Sequence, residues 1–476
     1  MRGSLTSCPG VSPLAACSLG LTVATALALS PAPPATAAPV PLRAAAPVPD
    51  AVPGSTRSLP LVPLSRERTL GGAPEQGLHR VGLGRFSLVG VVWDDPGTEL
   101  RGRVRVRTRS AATGQWSGWQ DVETHHADHG ADPDTAEGSS RRVRGATAPL
   151  WVGDSDGVDV RVRAEGAAGG DGTGLPSGRR AGRPGVPMPR GLRLELVDPG
   201  SGKAAGEGGG TGEGLPGNPT GDDPPRTALD TEAALAASAA NADITGFGAT
   251  AIPALDRSAT EQELNRLQGP VRGKPYIGPR PRIVTRRGWG ADESLRERGF
   301  VYTKKIKAAF VHHTATGNAY TCAQAPSVIR GIYRYHVKSM GWRDIGYNFL
   351  VDKCGTLYEG RAGGVAKAVL GAHTRGFNTD SMGIAVIGTY GTARPPSAAV
   401  TAIARLTAWK LGLYGVDPGA KTYLTSGGGN LYPKGKNVRL NVISGHRDGF
   451  ATECPGKQLY AKLGTARSNA ATYQGR

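Results

Sequence analysis

The sequence lacks any apolar run long enough to cross a membrane. The longest apolar run, Leu14–Leu29, is shorter than the roughly 18 residues that a spanning helix needs. It follows Arg2 and precedes the small residues 35–37 (ATA), an arrangement typical of a secretory signal peptide that is cleaved near Ala37. The sequence therefore predicts an exported protein that has lost residues 1–37 and has no membrane-spanning helix.

Cysteine is scarce, and its count is odd once the predicted signal peptide is removed. Of five cysteines, Cys8 and Cys17 lie in that peptide, which leaves Cys322, Cys354 and Cys454. In an oxidising compartment, three thiols can form one disulfide and leave one thiol over. If Cys322 pairs with Cys354, Cys454 remains, and a metal ion would hold it as a thiolate. The two other pairings use Cys454 and stay open on this argument.

Acidic residues are few in the C-terminal part of the chain. From residue 271 onward there are 31 Lys and Arg against 10 Asp and Glu, whereas residues 1–270 are close to neutral. An exported basic domain is suited to an anionic surface such as a bacterial wall polymer, although single Lys and Arg residues also simply solubilise a surface. No recognised nucleic-acid-binding motif accompanies the charge, so nucleic acid is not an expected partner.

Glycine and proline are abundant, which indicates linkers between domains. The 71 glycines and 36 prolines make up more than a fifth of the chain, a composition typical of segments without a packed core. We expect a signal peptide at 1–37, a Pro/Ala-rich disordered tether at 38–77, a β-rich accessory domain at 78–199, a Gly/Ala/Pro-rich linker at 200–281, an α/β domain at 282–465 and a tail at 466–476.

Short segments in which apolar and polar residues alternate characterise the accessory domain. Examples are 101–107 (RGRVRVR) and 158–162 (VDVRV). Because these segments are bounded by Gly, Asp and Pro, they predict the strands of a β-sandwich.

Two insertions interrupt the predicted strands, at about 125–144 and 166–190. Their compositions are typical of disorder. The first insertion contains His125, His126 and His129 among Asp and Gly residues. We interpret these histidines as part of a solvated turn rather than as metal ligands.

The C-terminal domain contains two histidines that each follow an apolar strand. His312 ends the strand 306–311, and His446 follows Val442-Ile443, with Cys454 eight residues later. Two imidazoles and a thiolate would give zinc three protein ligands and leave a fourth position for water, as hydrolysis requires. A closed structural zinc site would need a fourth Cys or His, and His373 is the only candidate we find for it.

Strands and helices alternate through this domain. Helical periodicity covers 325–339 and 396–414, while 347–352 and 382–388 are apolar strands. The alternation predicts an α/β fold with one mixed central β-sheet flanked by helices.

Several motifs in this domain resemble those of the peptidoglycan recognition proteins, which belong to the same zinc amidase superfamily as T7 lysozyme. They occur in the family's order over about 170 residues, so chance similarity is not a credible explanation. The motifs are RGWGA (287–291), FVHHTAT (310–316), GWRDIGYNFLVDKCGTLYEGR (341–361), GAHTRGFNTDSMGIAVIG (371–388) and GHRDGFATECPG (445–456).

The resemblance implies a zinc-dependent N-acetylmuramoyl-L-alanine amidase, which cleaves the amide between the muramic acid lactyl group and L-Ala in peptidoglycan. It implies that His312, His446 and Cys454 are the zinc ligands. A disulfide between Cys322 and Cys354 also fits bacterial members of the family.

The resemblance further implies roles for residues around the metal. Tyr347 matches the catalytic tyrosine, Thr452 stands where the phage enzyme has a lysine, and His373 is expected to line the groove. Separately, we hypothesise that a proton of the zinc-bound water reaches the leaving amine through Tyr347 or His373. Arg361 and Asn378 are expected to bind the stem peptide, Arg361 through a carboxylate.

A peptidoglycan-binding protein without turnover is the alternative function. Related non-enzymatic recognition proteins typically lack the cysteine ligand, so Cys454 favours an enzyme. The residues Ala362-Gly363-Gly364 replace a Gly-Trp pair that is linked to diaminopimelate preference, so the sequence does not assign the third residue of the stem. We expect a secreted, wall-associated monomer.

Overall fold

The computed structural model describes residues 53–64, 74–124, 128–165, 187–201, 231–270, 273 and 275–476. The predicted signal peptide, most of the predicted tether, His125 and His126, and most of the second predicted insertion lie outside the described residues.

The N-terminal part is a β-sandwich-like domain, as predicted. Its long strand β8 pairs with β4 near its beginning and with β3 and β5 farther along, so one strand connects both layers around a common apolar core. The remaining antiparallel neighbours are β1 with β9, β9 with β4, β4 with β7, β5 with β6, and β3 with β2. The strands are β1 (Ser55–Pro60), β2 (Val62–Pro63), β3 (Glu75–Arg80), β4 (Phe86–Trp93), β5 (Gly102–Ser110), β6 (Gln120–Val122), β7 (Gly145–Ala146), β8 (Leu150–Ala164) and β9 (Arg193–Asp198).

Two predicted boundaries of this domain are corrected. Strand β1 lies within the predicted tether, and it pairs with β9 from Ser55↔Asp198 to Pro60↔Arg193. The sandwich therefore begins before residue 78. The first predicted insertion is ordered from residue 128 onward, where it packs against the C-terminal domain.

The predicted linker is wrong from residue 231 onward. Helices α1 (Glu232–Ala239) and α2 (Arg257–Gln268) and strand β10 (Ala251–Ile252) lie there. Asp256 caps α2, because its carboxylate accepts a hydrogen bond from the amide of Ala259 at 2.8 Å. A few apolar side chains, such as Leu264, are buried in the core of the C-terminal domain. Their small number in an Ala-rich and Gly-rich background concealed the packing.

The C-terminal domain is built on a mixed sheet in the order β10-β11-β14-β13-β15-β12-β18, which confirms the predicted α/β class. Strand β12 is parallel to both β15 and β18, whereas β13 and β14 are antiparallel. The strands are β11 (Ile283–Val284), β12 (Ala308–His313), β13 (Phe349–Val351), β14 (Leu357–Glu359), β15 (Ser381–Val386), the hairpin β16 (Lys421–Thr425) and β17 (Asn437–Asn441), and β18 (Ile443–Gly445).

Helices cover the sheet. The predicted tail belongs to α7, which packs on α5 through the buried Ala466 and Ala470, so residues 466–476 are part of the domain. The helices are α3 (Arg286–Trp289), α4 (Ala325–Arg334), which continues as a π-helix Tyr335–Ser339, α5 (Ser397–Gly412), α6 (Lys457–Tyr460) and α7 (Leu463–Gln474). No helix in the described part of the chain is long and apolar enough to span a membrane.

The two domains share an apolar core. Leu88 and Trp151 of the sandwich pack with Ile329 and Ile332 of α4. The Tyr335 hydroxyl also donates to the carbonyl of Thr147 at 3.1 Å. These contacts set the two domains in a defined arrangement, instead of the freely tethered one that a linker over 200–281 predicts.

The cysteines follow one of the three pairings that were open from their count. Cys322, just before α4, forms a disulfide with Cys354, in the turn between β13 and β14, and the Cα–Cα distance is 6.2 Å. Cys454 is left as a buried free thiol.

Candidate metal centre

Four side chains converge at one end of the mixed sheet. Potential ligand atoms of His129, His312, His446 and Cys454 all lie within 4.8 Å of one another, and all four residues are buried. The Sγ atom of Cys454 is 3.8 Å from Nδ1 of His312 and 3.8 Å from Nε2 of His129. Zinc bond lengths place two tetrahedral ligands about 3.6 Å apart, so this cluster could hold a metal ion.

The sheet explains why two of these side chains meet. His312 is the penultimate residue of β12, and His446 follows β18, the parallel neighbour of β12. Because the carboxyl ends of adjacent parallel strands lie at the same edge, both imidazoles project there. Side chains alternate along a strand, so His313 faces the other side, where its Nδ1 lies 3.2 Å from the amide of Tyr390.

His129 comes from the β-sandwich domain, and its position contradicts our interpretation of a solvated turn. It lies between β6 and β7, in a segment of residues 128–144 that we call the cover segment. Its side chain is only 4% exposed. The sequence offers two weak signals: an aspartate directly precedes this histidine, and residues 128–137 are acidic in a chain whose C-terminal part is strongly basic.

The second nitrogen of each imidazole also has a partner. Nδ1 of His129 donates to the carboxylate of Asp128 at 2.9 Å, Nε2 of His446 donates to the carbonyl of Asp128 at 3.2 Å, and Nε2 of His312 donates to the Thr374 hydroxyl at 3.3 Å. These bonds leave the opposite nitrogen of each ring to face the cluster.

Nδ1 of His446 is buried and has no hydrogen-bond partner. A buried acceptor without a hydrogen-bond partner costs folding free energy, and a metal ion bound to this nitrogen would remove that cost. The donor set of imidazole nitrogens and one thiol sulfur is also the set that zinc prefers. The residues present therefore fit a zinc ion.

Burial sets the protonation of these groups. It lowers the pKa of His446 to about 3 and the pKa of His312 well below its usual value, so both imidazoles are neutral, as metal ligands must be. Burial raises the pKa of the Cys454 thiol, so metal binding at this sulfur must release a proton.

Tyr347 lies beside the cluster, with its ring 5.5 Å from that of His312 and 5.8 Å from that of His129. Burial raises its pKa well above the usual value, and the nearby charges of Cys454 and Asp128 raise it further. The hydroxyl therefore keeps its proton at neutral pH and can act as a hydrogen-bond donor.

His373 lies in the wall behind the cluster and does not supply the fourth ligand. Its Nδ1 is 3.0 Å from the Thr374 hydroxyl, and its Nε2 is 3.4 Å from the Ser381 hydroxyl. Burial lowers its pKa well below the usual value. Thr452 is half-buried, and its hydroxyl accepts a hydrogen bond from the amide of Cys454 at 3.1 Å, which orients the cysteine.

The residues predicted to bind the stem peptide contact the cover segment instead. Arg361 forms a bidentate ion pair with Glu137, at 2.8 and 2.9 Å. The Asn378 side-chain amide donates to the carboxylate of Asp132 at 2.7 Å and to the carbonyl of Gly130 at 2.9 Å. A cavity of about 210 Å³ remains between the cover segment and this part of the groove.

Comparisons with known proteins agree with the fold. The family model described as N-acetylmuramoyl-L-alanine amidase matches residues 302–457. A second model, described as Rv3811 N-terminal galactose-binding domain-like, matches residues 37–184.

Individual relatives cover the C-terminal domain. Peptidoglycan-recognition protein SC2 of Drosophila simulans is 32% identical over 183 residues, which are 38% of this chain and 85% of the relative. Peptidoglycan recognition protein 1 of Bos indicus is 32% identical over 179 residues, 37% of this chain and 80% of the relative. The solved structure of Drosophila PGRP-LB is 27% identical and covers 38% of this chain and 91% of its own, with a TM-score of 0.30. The chain belongs to the peptidoglycan recognition protein family.

Proposed function

We propose that the chain is a zinc-dependent N-acetylmuramoyl-L-alanine amidase that acts on bacterial peptidoglycan. The observation that carries the proposal is the convergence of His312, His446 and Cys454, with the orphaned Nδ1 of His446 among them. A module that only grips a stem peptide needs no cysteine at this position.

His312, His446 and Cys454 would hold the zinc ion. When bound, zinc supplies Lewis acidity towards the scissile carbonyl and lowers the pKa of a water molecule to about 7. Thr374 and Asp128 hold the two imidazoles in the tautomers that face the ion. Thr452 orients the cysteine through the amide of that residue.

The Tyr347 hydroxyl would donate a hydrogen bond to the oxyanion that develops on the scissile carbonyl. Its raised pKa keeps the proton in place, and its burial beside the metal ligands strengthens the bond. His373 is enclosed by hydroxyl partners, so we assign it to positioning: it holds Thr374, which in turn orients His312.

A Tyr347→Phe chain is therefore expected to lose about 100-fold to 1,000-fold in kcat, the usual effect of removing one oxyanion donor, with zinc content unchanged. The measurement is the initial rate of release of new L-Ala amino termini from purified peptidoglycan. Tyr390→Phe is a matched control, since that hydroxyl donates to the carbonyl of Ile387. An undiminished kcat in Tyr347→Phe would remove the tyrosine from the mechanism.

A peptidoglycan-binding protein without turnover is the second candidate, and one observation favours it. His129 adds a fourth potential ligand to the cluster, and four protein ligands are typical of structural zinc sites.

The two candidates are distinguished by assaying the full chain and a full-length His129→Ala chain with zinc. Amino termini that appear with either protein, vanish with chelator and return with added zinc support the amidase. Bound zinc and bound wall without new amino termini in both proteins support the binding protein.

We further propose that the protein is exported to the cell wall: residues 1–37 have features typical of a signal peptide, and the Cys322–Cys354 disulfide is consistent with an oxidising compartment. The excess of basic residues after residue 270 suits anionic wall polymers as additional partners.

A further inference from the structure

The cover segment reaches across the domain boundary and closes the groove. It joins β6 to β7 of the sandwich, yet its buried side chains contact the C-terminal domain. Its backbone is also held there: the carbonyl of Asp128 accepts from the amide of Arg375 at 3.1 Å, and the amide of Arg144 donates to the carbonyl of Met340 at 3.0 Å. The segment is therefore docked along its whole described length.

The Asp128-His129 pair supplies a metal ligand together with its supporting hydrogen bonds. Nε2 of His129 faces Sγ of Cys454, while Nδ1 is held by the Asp128 carboxylate. The carbonyl of Asp128 also supports His446. A carboxylate that orients a ligating histidine is a common feature of zinc sites. Two adjacent residues thus complete a four-ligand set.

Two acidic side chains farther along the segment occupy positions suited to substrate carboxylates. The Glu137 carboxylate accepts hydrogen bonds from both terminal guanidinium nitrogens of Arg361, and both side chains are 8% exposed. The Asp132 carboxylate accepts from the side chain of Asn378 and from the amide of Gly376, each at 2.7 Å. A stem peptide is itself an extended chain that carries carboxylates, so the segment resembles it in charge and position.

We propose that the cover segment is an intramolecular inhibitor: His129 is a fourth zinc ligand that excludes water from the metal, and Asp132 and Glu137 occupy the stem-peptide site. This inference rests on the proposed function for its effect on catalysis. The described conformation is latent, and the groove binds peptidoglycan only after the segment has left it.

Departure of the segment does not require the two domains to separate. Leu88 and Trp151, which pack on α4, lie outside the segment, as does the hydrogen bond from the Tyr335 hydroxyl to Thr147. These contacts can stay in place while residues 128–144 move. The sandwich then keeps the inhibitor close, so that it can dock again.

The first test measures binding, which does not depend on turnover. The probe is a soluble disaccharide-tetrapeptide of peptidoglycan, in diaminopimelate and lysine forms, titrated into the metal-free full chain. The apparent affinity of a partly closed protein is reduced by its open fraction. We expect Glu137→Gln to bind the probe at least tenfold more tightly than the parent chain, because the variant loses the charge that holds Arg361.

The matched control is Asp134→Asn, which removes one negative charge from the exposed side of the same segment. Asp134 pairs only with the exposed Lys434 among the described residues, at 2.6 Å, and such surface pairs contribute little. We expect a change of at most a few-fold. Equal gains in probe affinity for Asp134→Asn and Glu137→Gln would mean that net charge alone is responsible. That result would contradict the proposal that the segment is an inhibitor.

The second test follows the metal. A zinc ion with four protein ligands should leave slowly, so His129→Ala should release zinc to a chelator at least tenfold faster than the parent chain. The same variant should cleave peptidoglycan at least tenfold faster when zinc is supplied in excess.

The outcomes separate the two proposals. If Glu137→Gln binds more tightly and His129→Ala releases zinc faster, but no variant cleaves peptidoglycan, the inhibitor stands and the amidase fails. If cleavage occurs in the parent chain and neither binding nor zinc release changes in the variants, the amidase stands and the inhibitor is overturned.

Discussion

A Cys454→Ser chain is expected to lose measurable amidase activity and to bind zinc at least about 100-fold more weakly. The sulfur is fully buried among imidazoles, and a serine hydroxyl does not ionise there to replace the thiolate. Loss of a group that merely supports a ligand already weakens zinc sites by 10-fold to 100-fold, so loss of a ligand should exceed that. Chelator competition measures the affinity, and release of L-Ala amino termini measures the activity.

Three histidines of the cluster remain in this variant. With His129 present they form a three-imidazole set that can still hold zinc weakly. In a Cys454→Ser/His129→Ala chain only His312 and His446 remain, and no zinc should survive dialysis. The control is the Cys322→Ser/Cys354→Ser chain, which loses two sulfurs away from the site and should keep its zinc. Stoichiometric zinc and full activity in Cys454→Ser would contradict the assignment of the ligand.

An Arg286→Met chain is expected to lose about 3–5 kcal/mol of unfolding free energy. The guanidinium is buried between two carboxylates, with Nε 2.6 Å from Glu293 and Nη1 3.1 Å from Asp344, and it also donates to the carbonyl of Gly360. Methionine fills much of the volume but leaves Asp344 without its cation and leaves Glu293 with Arg296 alone. Because breaking a buried ion pair leaves uncompensated charge, this change should exceed ordinary surface substitutions several-fold.

Urea-induced unfolding, followed by circular dichroism, measures the effect. Arg282→Met is the matched control, since Arg282 is exposed and its replacement should change the free energy by no more than about 0.5 kcal/mol. A loss below 1 kcal/mol in Arg286→Met would mean that the carboxylates find other partners.

The sequence predicted the parts of the site that depend on local pattern. His312 and His446 follow apolar strands, and Cys454 lies a short distance after the second strand, so motif and strand order bring them together. The mixed sheet followed from the alternation of strands and helices. These features depend on residues close in the chain, which is the range over which periodicity is informative.

His129 was missed because its role depends on a contact across 183 residues of chain, from position 129 to position 312. The local sequence offers only weak signals for a buried histidine, and the contact of Asp128 with His446 forms only in the folded chain. Arg361 was expected to meet a substrate carboxylate, and it meets the carboxylate of Glu137 instead. The chemistry was predicted, but the partner was not.

The packed structure in the second part of the predicted linker was missed for a different reason. Between residues 231 and 281, the core contains Ile244, Ile252, Leu264 and Ile277, in a background of Ala, Gly and Pro. So few apolar residues give no clear helical periodicity. The Asp256 cap is the signal that could have indicated α2.

The burial of Cys454 beneath the cover segment makes the alkylation rate of this thiol a measure of how often the segment moves away. It is the only cysteine outside a disulfide in the described part of the chain, and its surface is fully covered. Nε2 of His129 lies 3.8 Å from this sulfur, so if the cover segment leaves the groove as proposed, an alkylating reagent should reach the sulfur only in the open form. In metal-free protein without the predicted signal peptide, the labelling rate of this single sulfur therefore reports how often the groove opens, with no substrate, metal or turnover required.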